Sequence, residues 1–389
     1  MHVAVFHIIW TVFQLLLGYN LVLPVVLLIL YISVKHKAYS AKKTEEADYA
    51  IIVTAYEQTH MLISVVDSLL SLQYSNYLIY IVADNCDTSE LHFDDEKVIL
   101  LSPERVLASN TRSHFYAIQR FKRAHTRLTI IDSDNLVDPA YLQKLNMYFE
   151  AGFDAVQGER KAKNLNSTYA CIDAARDLYY HFYHGRVLFG IGSSATLAGS
   201  GMAFTVKLYR ECLEQLDITG AGFDKILQKE IVTRGYRIAF APEAIVYDEK
   251  TAKADQLINQ RARWINTWFR YSKFGIGLVL KGIRTFNWNR FIFGIVLLRP
   301  PLFMFLIASL ACLAVNMFIN PLLASIWAAG FILFIIGFCI SLWYSKPDQR
   351  IVRALWGIPK FVFYQLLSLL KVARANQHSV ATKHSGIEG

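Results

Sequence analysis

The amino-acid sequence predicts an α/β domain with a mostly parallel sheet, flanked by transmembrane and interfacial helices. Residues 1–34 and 300–345 contain no Asp, Glu, Lys or Arg. Between them, short continuous apolar runs alternate with segments of helical period, the pattern of parallel strands covered on both faces. Those runs end on acidic residues, at the strand ends where open α/β sheets bind ligands.

A helix needs about 20 apolar residues to cross a hydrocarbon core of about 30 Å, so residues 1–34 read as one transmembrane helix. The stretch lacks the basic leader and small-residue cleavage site of a signal peptide, and its apolar part is too long for one, so it is expected to stay attached. Residues 300–345 exceed one span, and Asn320-Pro321 divides them into a two-helix transmembrane hairpin. Four Lys and one Glu give residues 1–45 a charge of +3, and thirteen Lys and Arg against two acidic residues give 265–389 a charge of +11. The total of +9 leaves −5 for residues 46–264. The basic balance therefore belongs to the membrane flanks and is no sign of nucleic-acid binding. Lys35, Lys37, Lys42 and Lys43 follow the first span, while Arg284, Arg290, Arg299, Lys346, Arg350 and Arg353 bracket the hairpin. By the positive-inside rule these face the cytoplasm. The amino terminus is then outside an inner or plasma membrane, residues 35–48 are a cytoplasmic linker, and the central domain, residues 49–265, is cytoplasmic.

Residues 266–299 read as an interfacial helical segment, in which Gly275, Gly277 and Gly282 argue against a regular helix. In residues 350–372, Arg353, Lys360 and Lys371 fall within about 20° of one line at 100° per residue. That favours an amphipathic helix in the membrane interface, bent at Pro359, although the segment could also be counted as a further span. Residues 373–389 form a polar cytoplasmic tail. Cys86, Cys171, Cys212, Cys312 and Cys339 have no paired or ligand spacing and suit a reducing compartment.

Within the central domain, Ala50 to Thr54 is an apolar run. Met61 to Leu72 follows with apolar residues at 61, 62, 65, 66, 69, 70 and 72, the spacing of a buried helix face. Tyr77 to Ala83 is a second run, ended by Asp84. A helix from His114 to His125 leads to a strand at Leu128 to Ile131, and Asp138-Pro139 is expected to cap and begin a helix that runs to Phe149. The strand ends then carry Tyr56 and Glu57, Asp84 and Asp87, and Asp132 and Asp134. The two carboxylates of Asp132-Ser133-Asp134 share one tight turn and could hold a divalent cation, Mg²⁺ or Mn²⁺, that also takes diphosphate oxygens. Asp-x-Asp alone equally describes polar residues ending a strand; two further acidic strand ends in the same sheet favour a ligand site. His114, His181 and His184 share no ligand spacing and read as polar contacts around an aromatic-rich helix.

The ordered set Thr54-Ala-Tyr-Glu57, Asp84-Asn-Cys-Asp87, Asp132-Ser-Asp134, Gly199-Ser-Gly-Met202, Gly222-Phe-Asp-Lys225 and Gln260-Arg-Ala-Arg-Trp264 resembles the membrane-embedded family 2 glycosyltransferases. These are inverting enzymes with a GT-A catalytic domain, akin to cellulose, hyaluronan, chitin and poly-N-acetylglucosamine synthases. The resemblance covers residues 50–265 by motif and nearly the whole chain by architecture. It implies a GT-A nucleotide-sugar-binding domain over residues 49–265. Tyr56 and Glu57 would contact the nucleoside base and its surroundings, Asp84 would lie beside the uridine, and Asp87 would close that pocket. Asp132 and Asp134 would form the metal and sugar-nucleotide motif. Gly199, Ser200 and Gly201 match the loop near the acceptor, where small residues permit close backbone approach. Asp224 takes the place of the catalytic base. Gln260, Arg263 and Trp264 match the QxxRW signature, with Arg263 toward the donor and Gln260 and Trp264 toward the acceptor.

These residue types suit the chemistry. A departing diphosphate gathers negative charge, which a metal ion and Arg263 would stabilise, and Asp224 would take the acceptor proton. Trp264 offers a flat face to a sugar. Asp248-Glu249-Lys250 reads either as paired surface charges or as a second layer in which Asp248 or Glu249 orients Arg263. The chain also departs from the family pattern: Thr54 replaces a common proline, Thr111-Arg-Ser-His114 replaces a frequent Gly-Lys pair with Arg112 as a substitute phosphate contact, and Gly-Phe-Asp replaces Thr-Glu-Asp at the base. The expectation is inverting transfer of a hexose or N-acetylhexosamine from a UDP-linked donor to a growing polysaccharide. Single addition to a lipid or lipid-linked acceptor, or a catalytically silent glycan-binding role, are the alternatives. Membrane lipids, a second copy of the chain or an export component are the expected partners.

Overall fold

The structure, a computed structural model, describes residues 2–40 and 46–375. Lys42, Lys43 and the tail from residue 376 lie outside the described residues. A long helix, α1 (His2–Ser33), precedes β1 (Tyr49–Tyr56), α2 (Leu62–Leu70), β2 (Tyr77–Asp84), β3 (Val98–Leu101), α3 (Asn110–Ile118), β4 (Arg127–Asp132) and the two-residue β5 (Leu136–Val137). Next come α4 (Tyr141–Glu150), β6 (Ala155–Ala162) and α5 (Thr168–Tyr180), which continues as a π-helical segment, His181–Val187, and the short α6 (Leu188–Gly190). Then follow β7 (Met202–Thr205), α7 (Val206–Leu213), α8 (Phe223–Thr233) and β8 (Ile238–Asp248). The remainder is helical: α9 (Ala254–Tyr271), α10 (Lys273–Arg284), α11 (Trp288–Leu298), α12 (Leu302–Ile319), α13 (Pro321–Ser345), α14 (Gln349–Ala354) and α15 (Ile358–Leu369).

The eight strands form one sheet in the order β3-β2-β1-β4-β7-β6-β8-β5. The β3-β2-β1-β4 half is parallel. Beyond β4 the sheet is mixed, because β7 runs antiparallel to both β4 and β6, and β5 runs antiparallel to β8. The expectation of a mostly parallel sheet is corrected accordingly: β7 and β5 are only four and two residues long, too short for an apolar run to reveal their direction. Alternation along β1 explains the buried parallel half. Tyr49, Ile51 and Val53 pack with α2 and α4 on one face, and Ala50 and Ile52 with α3, α7 and α8 on the other. Because both faces are covered, the strand reads as a continuous apolar run.

Several boundaries shift from the expectation. The helix expected from His114 to His125 runs instead from Asn110 to Ile118, because Ser109 caps it through Arg112 N. His125 is instead a buried anchor, its Nε2 2.9 Å from Tyr80 Oη and its Nδ1 3.0 Å from Asp48. Asp138 caps a turn by accepting from Ala140 N at 2.9 Å, so α4 starts three residues later, at Tyr141. The glycines of residues 266–299 do not interrupt a helix. A Cβ on Gly275 would stand 2.7 Å from Gly294 O, and one on Gly282 2.6 Å from Phe291 N, so these glycines let α10 and α11 close against each other.

Among the described residues, three helices are long and apolar enough to cross a membrane: His7–Ser33 within α1, Leu302–Ile319 and Pro321–Ser345. Asn320 caps α13 through Leu323 N, and Pro321 starts it, which makes the tight turn after α12. These helices pack through Leu21, Leu27, Phe305, Trp327 and Phe334 against Tyr179, Tyr183 and Leu188. The central-domain segment α5 to α6 is therefore seated directly on these apolar helices. Residues 350–372 break at a 3₁₀ turn, Leu355–Gly357, with Pro359 in the first turn of α15. Phe361 of α15 packs against Leu257 of α9 and Ile172 of α5.

Candidate active site

A cavity of about 670 Å³ opens at the carboxyl ends of β1 and β4 and runs past α5, α8 and α9 to the start of α12. Tyr56, Asp132, Asp134, Gly199, Asp224, Asp248, Glu249, Gln260, Arg263 and Trp264 line it. Glu57, Asp84, Asp87, Ser200 and Gly201 stand outside its lining.

Strand register builds the first end. β1 pairs with β2 and β4 so that Tyr56 lies beside Asp84 and Thr54 beside Asp132. Asp84, only 2% exposed, accepts from Leu107 N at 2.9 Å and Ala108 N at 2.8 Å, which ties down the loop before α3. Glu57 accepts from Asn85 at 3.3 Å, and the exposed Asp87 closes a local turn through Ser89 N at 3.0 Å. Buried Ser200 accepts from Asp132 N at 3.1 Å and Asn135 Nδ2 at 2.7 Å. The Gly199–Gly201 loop thus clamps the back of the Asp132–Asp134 turn, and Gly199 alone of the three reaches the cavity. Arg112 makes a two-pronged pair with Asp217 at the surface, away from the cavity.

Asp134 faces the cavity. The chain packed around it, and then the nearby Asp248 carboxylate, push it up to about 6 against the pull of Arg160. Among the described residues no three His, Cys, Asp or Glu side chains converge as a metal site. Asp132 and Asp134 offer two carboxylates close in sequence, the small protein share that Mg²⁺ takes where phosphate oxygens and water complete its shell.

Asp224 sits in the first turn of α8, after Gly222 at φ +102°. A Cβ on Gly222 would meet the Tyr271 ring at 2.6 Å and Thr267 at 2.8 Å. Glycine there lets the start of α8 close on α9, the helix that carries Gln260, Arg263 and Trp264. Lys225 Nζ lies 2.8 Å from Asp224 Oδ2 and donates to Leu197 O at 3.2 Å. Trp264 is 41% exposed, with the guanidiniums of Arg261 and Arg176 at 4.0 and 4.2 Å from its ring centroid.

Next to Trp264 lies a buried charge network that takes in Asp248 and Lys250, so these are not surface charges; its other members, Arg160, Asp173, Arg176, Asp177 and Arg261, were not expected from the sequence. Arg160 pairs with Asp248; Lys250 pairs with Asp248 at 2.8 Å and with Asp177. Arg176 joins Asp177 at 2.5 Å and Asp173 at 3.2 Å, and Arg261 pairs with Asp173. Burial alone would raise Asp248, but Arg160 and Lys250 outweigh it and hold the group below its usual range. Lys250, Arg176 and Arg160 likewise overcome burial at Asp177 and hold it well below that range. Burial, then Arg176, lowers Arg261 to about 10, and burial lowers Arg263. His181 and His184 also line the cavity, and burial pushes His181 down to about 4. A signal was present: Asp173, Arg176, Asp177, Tyr180, His181 and His184 recur every three or four residues, a polar stripe along α5 and its π-helical continuation.

Fold and site together define a nucleotide-sugar-binding domain of GT-A type, joined to helices able to span a membrane. Residues 47–267 match the family described as Glycosyltransferase like family 2, and the chain belongs to that family. It is an enzyme, a glycosyltransferase that moves a sugar from a nucleotide donor. Its fold is similar to that of the mannosyltransferase PcManGT from Pyrobaculum calidifontis, solved with GDP-Man and Mn²⁺. The TM-score is 0.56 at 13% identity, over 94% of this chain and 97% of that one. TarS from S. aureus, solved with UDP-GlcNAc, aligns over 53% of this chain and 59% of its own at 13% identity, with a TM-score of 0.39. A comparison with curated proteins finds no match.

Proposed function

We propose that the enzyme transfers a hexose or N-acetylhexosamine, with inversion, from a nucleotide sugar to an acceptor hydroxyl at the cytoplasmic face of a membrane. The observation that carries this is the shared cavity, whose lining includes Asp132, Asp134, Asp224, Arg263 and Trp264. The acceptor oxygen attacks C1 from the face opposite the diphosphate. A C1–O bond to the acceptor forms as the bond to the diphosphate breaks, and the hydroxyl proton passes to Asp224. Arg263 faces the leaving group, and Gln260 and Trp264 orient the acceptor. Asp132 and Asp134 would hold a Mg²⁺ or Mn²⁺ ion, which when bound would supply charge neutralisation to the diphosphate; the Mn²⁺ in the Pyrobaculum calidifontis structure supports that choice. Asp248, through Arg160, and Glu249, through Lys163 at 3.9 Å, brace the wall next to Asp134. The basic residues flanking the apolar helices support the cytoplasmic orientation.

A donor screen on the full chain in nanodiscs, with Mg²⁺ or Mn²⁺ and products read by mass, tests the proposal. One donor class is expected to turn over, and Asp224→Asn to lower turnover by about 10²–10⁴-fold while donor affinity holds. Unchanged turnover in that variant would remove the base assignment. A ladder of products marks polymer elongation, and a single added sugar marks the alternative.

A further inference from the structure

Near the start of α12 the cavity contains a buried cation that no carboxylate among the described residues balances. Arg299 is 6% exposed and lines the cavity between α11 and α12. The residue before a proline is confined to extended backbone, and Arg299, ahead of Pro300-Pro301, has φ −62° and ψ 127°. Its side chain is held in place entirely by neutral groups. Nη1 lies 3.1 Å from His184 Nε2, which must accept because a guanidinium has no lone pair to offer. Nη2 donates to Tyr179 Oη at 3.2 Å and to Asn20 O at 3.1 Å. Asn20 O needs that partner: Pro24, four residues on within α1, has no N–H to give it. Nε is buried with no hydrogen-bond partner.

No carboxylate among the described residues pairs with this guanidinium, whereas each cation of the network around Asp177 has one within 4 Å. A guanidinium does not deprotonate in proteins, and a buried charge without a counter-ion is strongly unfavourable. A mobile anion is the missing partner, and the planar fork suits phosphate. The surroundings say what kind of molecule carries it. Phe305 lies 5.5 Å from the guanidinium, and Leu302 and Phe303 continue the apolar wall into α12, a helix able to cross the membrane.

We propose that Arg299, steadied by Tyr179 and His184, binds the phosphate of a lipid that carries the acceptor glycan. This rests on the reading of Asp224 as the base. The phosphate is held and undergoes no bond change, while the lipid tail leaves along α12 and the glycan hydroxyl reaches Asp224. Inorganic phosphate and the donor's own diphosphate are the other sources of the same chemistry.

The probe is dodecyl phosphate with a photoreactive diazirine in its tail, bound to the full chain in nanodiscs without donor. The expected results are saturable binding, displacement by unlabelled dodecyl phosphate but not by dodecanol, and displacement by inorganic phosphate or UDP only at about ten-fold or higher concentration. Cross-links are expected in residues 297–305 and 179–185. Arg299→Gln should weaken binding about ten-fold or more, and Arg299→Lys should restore part of it. Equal displacement by inorganic phosphate or UDP, cross-links confined to the outer faces of α12 and α13, or unchanged affinity in Arg299→Gln would each overturn the proposal. If Arg299→Gln fails to bind donor, and so fails to fold, the wild-type competition and cross-link map decide. No arm depends on turnover, so loss of the base assignment through Asp224→Asn remains a separate result.

Discussion

The two ends of the cavity are assembled in different ways. At one, the proposed donor end, Tyr56 and Asp132 close the adjacent parallel strands β1 and β4, and Asp134 stands on the turn that follows. At the other, which abuts both Asp134 and Trp264, Arg160, Asp173, Arg176, Asp177, Asp248, Lys250 and Arg261 converge from β6, α5, the end of β8 and α9, and form ion pairs with one another. Under the proposed function, the first takes a cation and the donor diphosphate. The second spends its charge on holding elements together, so that Trp264, Gln260 and Asp224 keep their positions. Raised Asp134 and depressed Asp177, in one cavity, record that division.

Substitutions can break or sharpen this contrast. Lys250→Met should act most strongly, because it strands Asp177 and Asp248 in a buried site. A loss of about 3–5 kcal/mol is expected in urea unfolding, and a loss below that of the donor-end variants would erase the distinction. Asp132→Asn should leave the unfolding curve near that of the wild type, yet slow sugar transfer by about 10²–10³-fold, measured at saturating donor and Mn²⁺. Asp134→Asn carries a third, opposite effect. A carboxyl whose folded value is raised to about 6 opposes folding above that pH, and the opposition fades as pH falls and both states become protonated. Without divalent ion, the variant should therefore be more stable than the wild type by about 1–2 kcal/mol at pH 7, with no gain below pH ~4. A wild type more stable than the variant at pH 7 would contradict the raised Asp134 carboxyl. Arg112→Ala is the small end of the series: the Arg112–Asp217 pair is exposed, and donor titrations should show no measurable change.

Much of the architecture was open to reading along the chain, because apolar runs and charge-free stretches are local signals. β1, α2, β2 and β4 follow from runs covered on both faces, and α12 and α13 from length, composition and Asn320-Pro321. Tyr56, Asp132, Asp134, Asp224 and Trp264 could be named because each sits in a short motif. The direction of β7 and β5, the start of α3 and the pairing of α10 with α11 were less legible, since each depends on contacts with distant segments. Asp84 and Ser200 show the limit well. Both belong to recognisable motifs, but whether a polar group faces a ligand or clamps a loop depends on which backbone N–H comes within reach.

By itself, the sequence determined a membrane-anchored α/β domain with acidic strand ends, because hydrophobic period, helix length and charge flanks act over a few residues at a time. Only the tertiary structure decided the mixed half of the sheet, the ion-pair network around Asp177 and the unbalanced Arg299. These join residues from about 20 to 300 along the chain, and a charge has a meaning only once its neighbours and its burial are known.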